Sequence, residues 1–92
     1  MVKHIVVWQM RESVSAEQKI EMKRRLETLV LRIPRVLKIE AGIDSGGGTM
    51  SLYSEFTSRD ALAAYQTHPA HQEVVAFVKK LVTARSVCDY EC

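Results

Sequence analysis

The sequence has no long hydrophobic stretch, since none of its unbroken apolar runs approaches the roughly 20 residues that a membrane-spanning helix needs. We therefore expect no membrane segment. The first residues also lack the apolar core and small-residue cleavage site of a secretory signal, which predicts a cytoplasmic protein. With 92 residues, the chain has the length of one small domain, over 1–92, and is too short for two.

The chain also has little excess of one charge and few cysteines. The chain has 13 Lys and Arg against 11 Asp and Glu, and a net charge of +2 is too small to indicate nucleic acid or a membrane surface. The two cysteines, Cys88 and Cys92, lie in a predicted strand with their Cα atoms about 13 Å apart, which is beyond disulfide reach. We expect two free thiols, so the small core must be used economically or shared with a partner.

Four segments have the β-branched, apolar composition of strands, and they are residues 1–10, 36–43, 49–56 and 86–90. The glycines at 46–48 lie between the second and third strands. No Lys-Ser/Thr pair and no helix follow them, so we interpret them as a hairpin turn rather than a phosphate loop. Both faces of the first strand are largely apolar, because even positions from His4 to Trp8 share one face and Ile5 and Val7 share the other.

Two helical regions separate these strands. Ser15 and Gln18 have the spacing of a capping box that opens the first helix, and Pro34 ends it. Ser58 caps the second helix, and Pro69 interrupts it at the first position of a new turn. Beyond this point, the predicted apolar stripe comprises Val74, Val75, Val78, Leu81 and Val82. The order β-α-β-β-α-β predicts a ferredoxin-like α+β fold, with a four-stranded antiparallel sheet and the helices on one face.

Helices on one face leave the other face of the sheet open. Either Ile5 and Val7 or Val6 and Trp8 must lie on that open face, and soluble monomers rarely expose large apolar patches. We therefore predict a homodimer that packs one open sheet face against another. The strand pattern alone does not decide which of the two sets is buried in the protomer.

Polar side chains at inward-facing positions mark a candidate site. His71 shares the apolar stripe of the last helical segment, and Tyr65 points inward from the segment before it. Asp89, on the last strand, is placed to accept a hydrogen bond from a His ring, and His4 is a further candidate. These residues bring proton-transferring groups to a cavity between helices and sheet. The alternative is a set of hydrogen-bonded polar residues in the core.

Metal and RNA binding are less favoured. His68 and His71 lie three residues apart on a bent segment, and no carboxylate or Cys completes a ligand set, so we expect no metal site. RNA-recognition modules share this strand order and stack bases on aromatic residues of the first and third strands. Because Tyr53 and Phe56 point to opposite faces of the third strand, we expect no nucleic-acid partner.

Four segments, taken in order, resemble the stress-responsive dimeric α/β-barrel (Dabb) family. They are Val-Lys-His-Ile-Val-Val at 2–7, Ile-Pro-Arg-Val at 33–36, Ala-Tyr-Gln-Thr-His-Pro-Ala-His at 64–71 and Asp-Tyr at 89–90. The Tyr-x-x-His-Pro-x-His pattern is the most specific of them. The resemblance covers nearly the whole chain and implies a ferredoxin-like protomer whose sheet pairs with that of a second copy to form a barrel. It also favours His4, Val6 and Trp8 facing the helices.

Most members of this family have no assigned activity. We accordingly expect a small homodimeric protein that binds a small hydrophobic or aromatic ligand in the helix–sheet cavity. Its pocket is predicted to be lined by Val6, Trp8, Leu52 and Val75. No cofactor is expected.

One plant branch of the family is a polyketide cyclase that closes a ring by intramolecular aldol condensation, and its functional residues match Tyr65, His71, His4 and Asp89. This resemblance implies that His71, held by Asp89, removes a proton from an activated methylene. The Tyr65 hydroxyl would stabilise the enolate, and His4 would position the substrate. The alternative function is therefore a cofactor-free enzyme, which is cyclase-like, an isomerase or a small monooxygenase.

The chain departs from that branch in the pocket. Trp8 replaces what looks like a smaller aliphatic side chain, and Arg24 and Arg25 occupy a part of the first helix where the cyclase is aromatic. An indole at this position fills volume that a long ligand needs. The same substrate is therefore not expected here.

Overall fold

The computed structural model describes all residues 1–92 and contains seven elements. In chain order they are β1 (Val2–Met10), α1 (Ala16–Arg32), β2 (Val36–Ile43), β3 (Thr49–Phe56), α2 (Arg59–Thr67), α3 (Pro69–Val78) and β4 (Val82–Glu91). Because α2 and α3 together occupy the second helical position, the predicted ferredoxin-like β-α-β-β-α-β plan is confirmed.

All strands pair antiparallel in the order β2-β3-β1-β4, which places β1 and β3 at the centre. In this register Val6 lies opposite Leu52 on one side and Val87 on the other. Even-numbered side chains of β1 point toward the helices and are buried, whereas Ile5 and Val7 lie on the opposite, open face. The packing of the helices thus shows which face of β1 is buried in the protomer, which the strand pattern alone did not decide.

The first helix begins and ends where the sequence predicts. The Ser15 hydroxyl accepts a hydrogen bond from the backbone N–H of Gln18, and the Gln18 side chain accepts one from the Ser15 N–H. Ile33, before Pro34, is already extended. The buried stripe of this helix comprises Met22, Leu26 and Leu29. None of the three helices is both long and apolar enough to cross a membrane.

The break between α2 and α3 is built from His68 and Pro69. Pro69 occupies the first turn of α3, as predicted, where its missing N–H costs nothing. His68 caps this helix, because its Nδ1 accepts a hydrogen bond from the Ala70 N–H at 3.0 Å. The capping bond occupies one ring nitrogen of His68. No group of three or more His, Cys, Asp or Glu side chains is arranged to hold a metal ion.

The last strand is longer than predicted, since β4 extends beyond 86–90 at both ends. The expectation that Leu81 and Val82 continue a helical stripe is wrong, because α3 ends at Val78. Pairing with β1 explains why these residues do not continue the helix. The backbone N–H of Arg11, just after β1, donates to the carbonyl of Leu81 at 2.9 Å, so the chain is hydrogen-bonded to β1 as soon as it leaves the turn.

The open face has an apolar centre. Ile5 lies between Tyr53 on β3 and Cys88 on β4, and Val7 beside it is 39% exposed. Cys88 and Cys92 are both exposed and form no disulfide, as predicted. Nothing in the protomer covers this face, because all three helices pack on the other side of the sheet.

Candidate functional site

A cavity of about 320 Å³ lies between the helices and the part of the sheet formed by β1, β3 and β4. The structure places all four predicted pocket residues, Val6, Trp8, Leu52 and Val75, on its walls. Four further apolar side chains line it, and they are Leu26, Val74, Val78 and Val82. The cavity therefore has a largely apolar interior.

The residues that depart from the plant cyclase pattern affect this cavity less than expected. The Trp8 side chain is buried in the wall, and the cavity remains beside it. Arg24 and Arg25 do not line it, because both pair with Glu21, at 2.6 and 2.7 Å, on the outer side of α1. The guanidinium of Arg25 also stacks over the Phe77 ring at 4.0 Å.

Tyr65 is completely buried, yet its hydroxyl has no hydrogen-bond partner in the protein. Its ring packs edge-on against Phe56 with centroids 4.9 Å apart, which fixes its position in the cavity wall. Burial raises the pKa of Tyr65 far above its ordinary value, so the hydroxyl is a neutral donor. An unsatisfied buried hydroxyl costs about 1–3 kcal/mol, and a ligand acceptor in the cavity would relieve that cost.

His71 lies against Tyr65, with ring centroids 4.4 Å apart, and is half-buried. Its Nδ1 is 3.1 Å from the carbonyl oxygen of Gln66. Because a carbonyl only accepts, Nδ1 carries the proton and Nε2 is left unprotonated, without a protein partner. Burial lowers the pKa of His71, and the hydrogen bond to Gln66 only partly opposes this effect. A neutral imidazole with a free basic nitrogen therefore lines the cavity.

The predicted contact between Asp89 and His71 is wrong, because the Asp89 carboxylate holds His4 instead. The two residues are direct partners across β1 and β4, and His4 Nδ1 lies 2.5 Å from Asp89 Oδ1. His4 lines the cavity, and its ring is 6.2 Å from that of Phe56, which in turn contacts Tyr65. The site thus contains one histidine oriented by a carboxylate and another oriented by a backbone carbonyl.

Polar residues at the cavity that sequence reasoning missed are Gln66, Gln72, Lys79 and Arg85. Arg85 lies opposite Trp8 in the register and four residues before Asp89, so both share the helix-facing side of β4. Extending the predicted strand back to Val82 would have revealed it. Lys79 follows the end of α3 and lies outside the predicted apolar stripe.

The four-stranded sheet with helices on one face and a cavity between the layers defines a ferredoxin-like α+β protein with an internal pocket. A family model described as the stress responsive A/B barrel domain (Dabb) matches residues 2–92, and the chain belongs to this family. The resemblance found in the sequence is thereby confirmed. No curated protein sequence matches the chain at a significant level.

Solved structures share the fold over nearly the whole chain. A dimeric protein of unknown function with a ferredoxin-like fold, from Bacteroides fragilis NCTC 9343, is 33% identical, with a TM-score of 0.85 over 99% of this chain and 95% of that one. At3g17210 from Arabidopsis thaliana is 28% identical, with a TM-score of 0.90 over 100% and 95%. Hydroxynitrile lyase from Passiflora edulis is 20% identical, with a TM-score of 0.84 over 97% and 90%, and shares the fold alone.

Proposed function

We propose that this protein binds a small hydrophobic or aromatic molecule in the cavity between its helices and its sheet. The observation that carries the proposal is the buried Tyr65 hydroxyl, which has no partner within the protein. A volume of about 320 Å³ lies within the range of small-molecule sites. Apolar walls with a few polar groups are also typical of such sites, because apolar burial supplies affinity and the polar groups supply orientation.

The chemistry of the polar groups limits the ligand. Tyr65 offers a hydrogen-bond donor, and the free Nε2 of His71 offers an acceptor beside it. A molecule with a carbonyl or hydroxyl at one end would satisfy them. Its apolar body would then lie against the valines, and the buried indole of Trp8 provides a surface on which an aromatic ring packs well.

The working form is a homodimer that packs through the open sheet face. Ile5 and Val7 form an apolar centre on that face which the protomer leaves uncovered, and apolar patches of this kind are typical of interfaces. The relative from Bacteroides fragilis is described as dimeric, which supports a homodimer. The cytoplasmic location expected from the sequence stays a prediction, which cell fractionation would test.

Ligand binding is tested with N-phenyl-1-naphthylamine, a neutral fluorescent probe. We expect its fluorescence to rise on binding, and the indole N–H signal of Trp8, the chain's single tryptophan, to shift. Val75→Phe places a ring in the cavity wall and should weaken binding. Ala76→Phe, at the neighbouring exposed position, should leave it unchanged. Unchanged probe fluorescence and an unmoved Trp8 signal in the wild type would rule out the pocket.

A second function is favoured by the pairing of Tyr65 and His71, namely proton transfer in a cofactor-free enzyme of the cyclase or isomerase type. Nε2 of His71 would take a proton from the carbon beside a carbonyl, and the C–H electron pair would form an enolate. The neutral Tyr65 hydroxyl would donate to the enolate oxygen. In a cyclase, the enolate carbon would then attack a second carbonyl, and His71 would return its proton to the resulting alkoxide. His4, held by Asp89, would position the substrate.

Catalysis is tested with a panel of β-polyketo thioesters and phenols. Turnover that falls by at least about 100-fold in His71→Ala is expected for general base catalysis. His68→Ala is the matched control, because His68 caps α3 and does not line the cavity. Equal background rates for wild type and His71→Ala would leave the protein a binding module.

A further inference from the structure

The formal charges around the cavity are all of one sign. Lys79 and Arg85 line it, and no Asp or Glu does. The chain as a whole is nearly balanced, with 13 basic and 11 acidic residues. The Asp89 carboxylate is hydrogen-bonded to His4 and is not one of the residues that line the cavity. A ligand in this cavity therefore meets two positive charges and no carboxylate on the lining itself.

Neither cation is neutralised within the protein. Five basic side chains elsewhere in the chain do pair with carboxylates, and they are Lys23, Arg24, Arg25, Arg32 and Arg59. Lys79 and Arg85 take part in none of the ion pairs and make no side-chain hydrogen bond. Register places Arg85 opposite Trp8, on the side of β4 that faces the helices.

The charge of Arg85 also acts on the interior of the site. Burial is the main cause that lowers the pKa of His71, and the charges of His4 and, to the smallest extent, Arg85 add to that effect. An anion bound beside Arg85 would offset that contribution. The cation at the edge of the cavity and the base inside it are thus electrostatically coupled.

We propose that the ligand of this pocket is a small organic anion, whose apolar part lies against Trp8 and the valines and whose negative group is bound by Arg85 and Lys79. This inference rests on the proposed ligand binding. A guanidinium presents several donors in one plane, which suits a carboxylate, and the ammonium adds a second positive charge. Both groups are free to do so because no protein carboxylate competes for them.

The test compares 2-naphthoate with 2-naphthamide, which share a ring system and differ in charge. We expect the wild type to bind naphthoate roughly fivefold to tenfold more tightly at low salt, as measured by calorimetry and by the Trp8 indole N–H shift. Added salt should reduce this preference, because exposed charges are screened.

A charge-matched pair of variants locates the effect. Lys79→Gln with Arg85→Gln should remove the preference for naphthoate. Arg11→Gln with Lys80→Gln removes the same charge from exposed positions outside the cavity and should retain it. Circular dichroism checks folding, and the salt dependence of the wild type decides the matter if a variant fails to fold.

Each other outcome overturns the inference in a distinguishable way. Equal affinity for the two probes would overturn the anion preference and leave the pocket in place. A preference that survives Lys79→Gln with Arg85→Gln, or that disappears equally in the control pair, would show that these two residues do not bind the anion. Failure of both probes, and of the neutral amine probe above, to shift the Trp8 signal would overturn the pocket as well.

Discussion

Asp89 and His4 face each other across the last and first strands, with 2.5 Å between Oδ1 and Nδ1. The His4 side chain is only 3% exposed, whereas that of Asp89 is 28% exposed. The carboxylate therefore satisfies a buried imidazole from the edge of the sheet. Because Nδ1–H donates to Asp89, Nε2 of His4 is left as an acceptor in a residue that lines the cavity. The pairing of the edge strand β4 with β1 thus fixes the orientation of the His4 ring in the cavity wall.

Asp89→Ala should destabilise the protein by about 1–3 kcal/mol, since it leaves the buried N–H of His4 without an acceptor. Asp89→Asn should lose less, because its amide oxygen still accepts. Ser86→Ala, on the open side of the same strand, is the control and should change the free energy of unfolding little. Urea denaturation measures all three. Wild-type stability in Asp89→Ala would show that the contact contributes nothing.

Tyr65→Phe should leave the free energy of unfolding unchanged or raise it by about 1 kcal/mol, because it removes a buried hydroxyl that has no partner. The same change should weaken ligand binding. Tyr53→Phe is the matched control, because its hydroxyl donates to Glu55 at 2.5 Å outside the cavity. That variant should lose a little stability and keep its ligand affinity. A loss of more than about 1 kcal/mol in Tyr65→Phe would reveal a partner for the hydroxyl in solution.

The pKa of His71 predicts a pH dependence of stability. Burial lowers this pKa below 6.5, so the unfolded chain binds a proton more readily than the folded one. The contribution of His71 is therefore fully present above pH 6.5 and is lost as the pH falls from there through the folded-state pKa. Urea denaturation from about pH 5 to about pH 8 should show the wild type losing stability relative to His71→Gln on the acid side.

An NMR titration of the His71 ring checks the same prediction directly. The ring protons of His71 should titrate with a midpoint below 6.5. A midpoint at or above that value, together with parallel stability curves for wild type and His71→Gln, would contradict the burial of the neutral ring.

Signals between neighbouring residues predicted most of the helices and strands of this fold. The features that these signals missed depend on pairing between strands that are distant in the sequence. The capping box at Ser15 and the break at Pro69 depend on neighbouring residues alone, and both were predicted correctly. Val82 was placed in a helix because it continues the helical spacing of Val75 and Val78, but hydrogen bonding to β1 makes it part of a strand. Asp89 was assigned to the wrong histidine because the register that joins it to His4 spans 85 residues of chain.

The face of the sheet that the helices cover also depends on contacts between distant parts of the chain. Both sides of β1 are apolar, so alternation alone could not identify the buried one. The helices pack over Val6 and Trp8, which leaves Ile5 and Val7 for a partner. This result turns the dimer prediction into a test at a specific position.

Ile5→Lys should convert the homodimer into a monomer, because a sheet-to-sheet interface would bury an unpaired ammonium at its centre. Light scattering at micromolar concentration should give twice the 10.4 kDa chain mass for the wild type and that mass itself for the variant. Ile20→Lys, at an apolar residue of α1 that is 60% exposed and on the helical side of the sheet, should leave the dimer intact. A wild type of 10.4 kDa, or an Ile5→Lys variant that remains dimeric, would mean that the open face is not the interface.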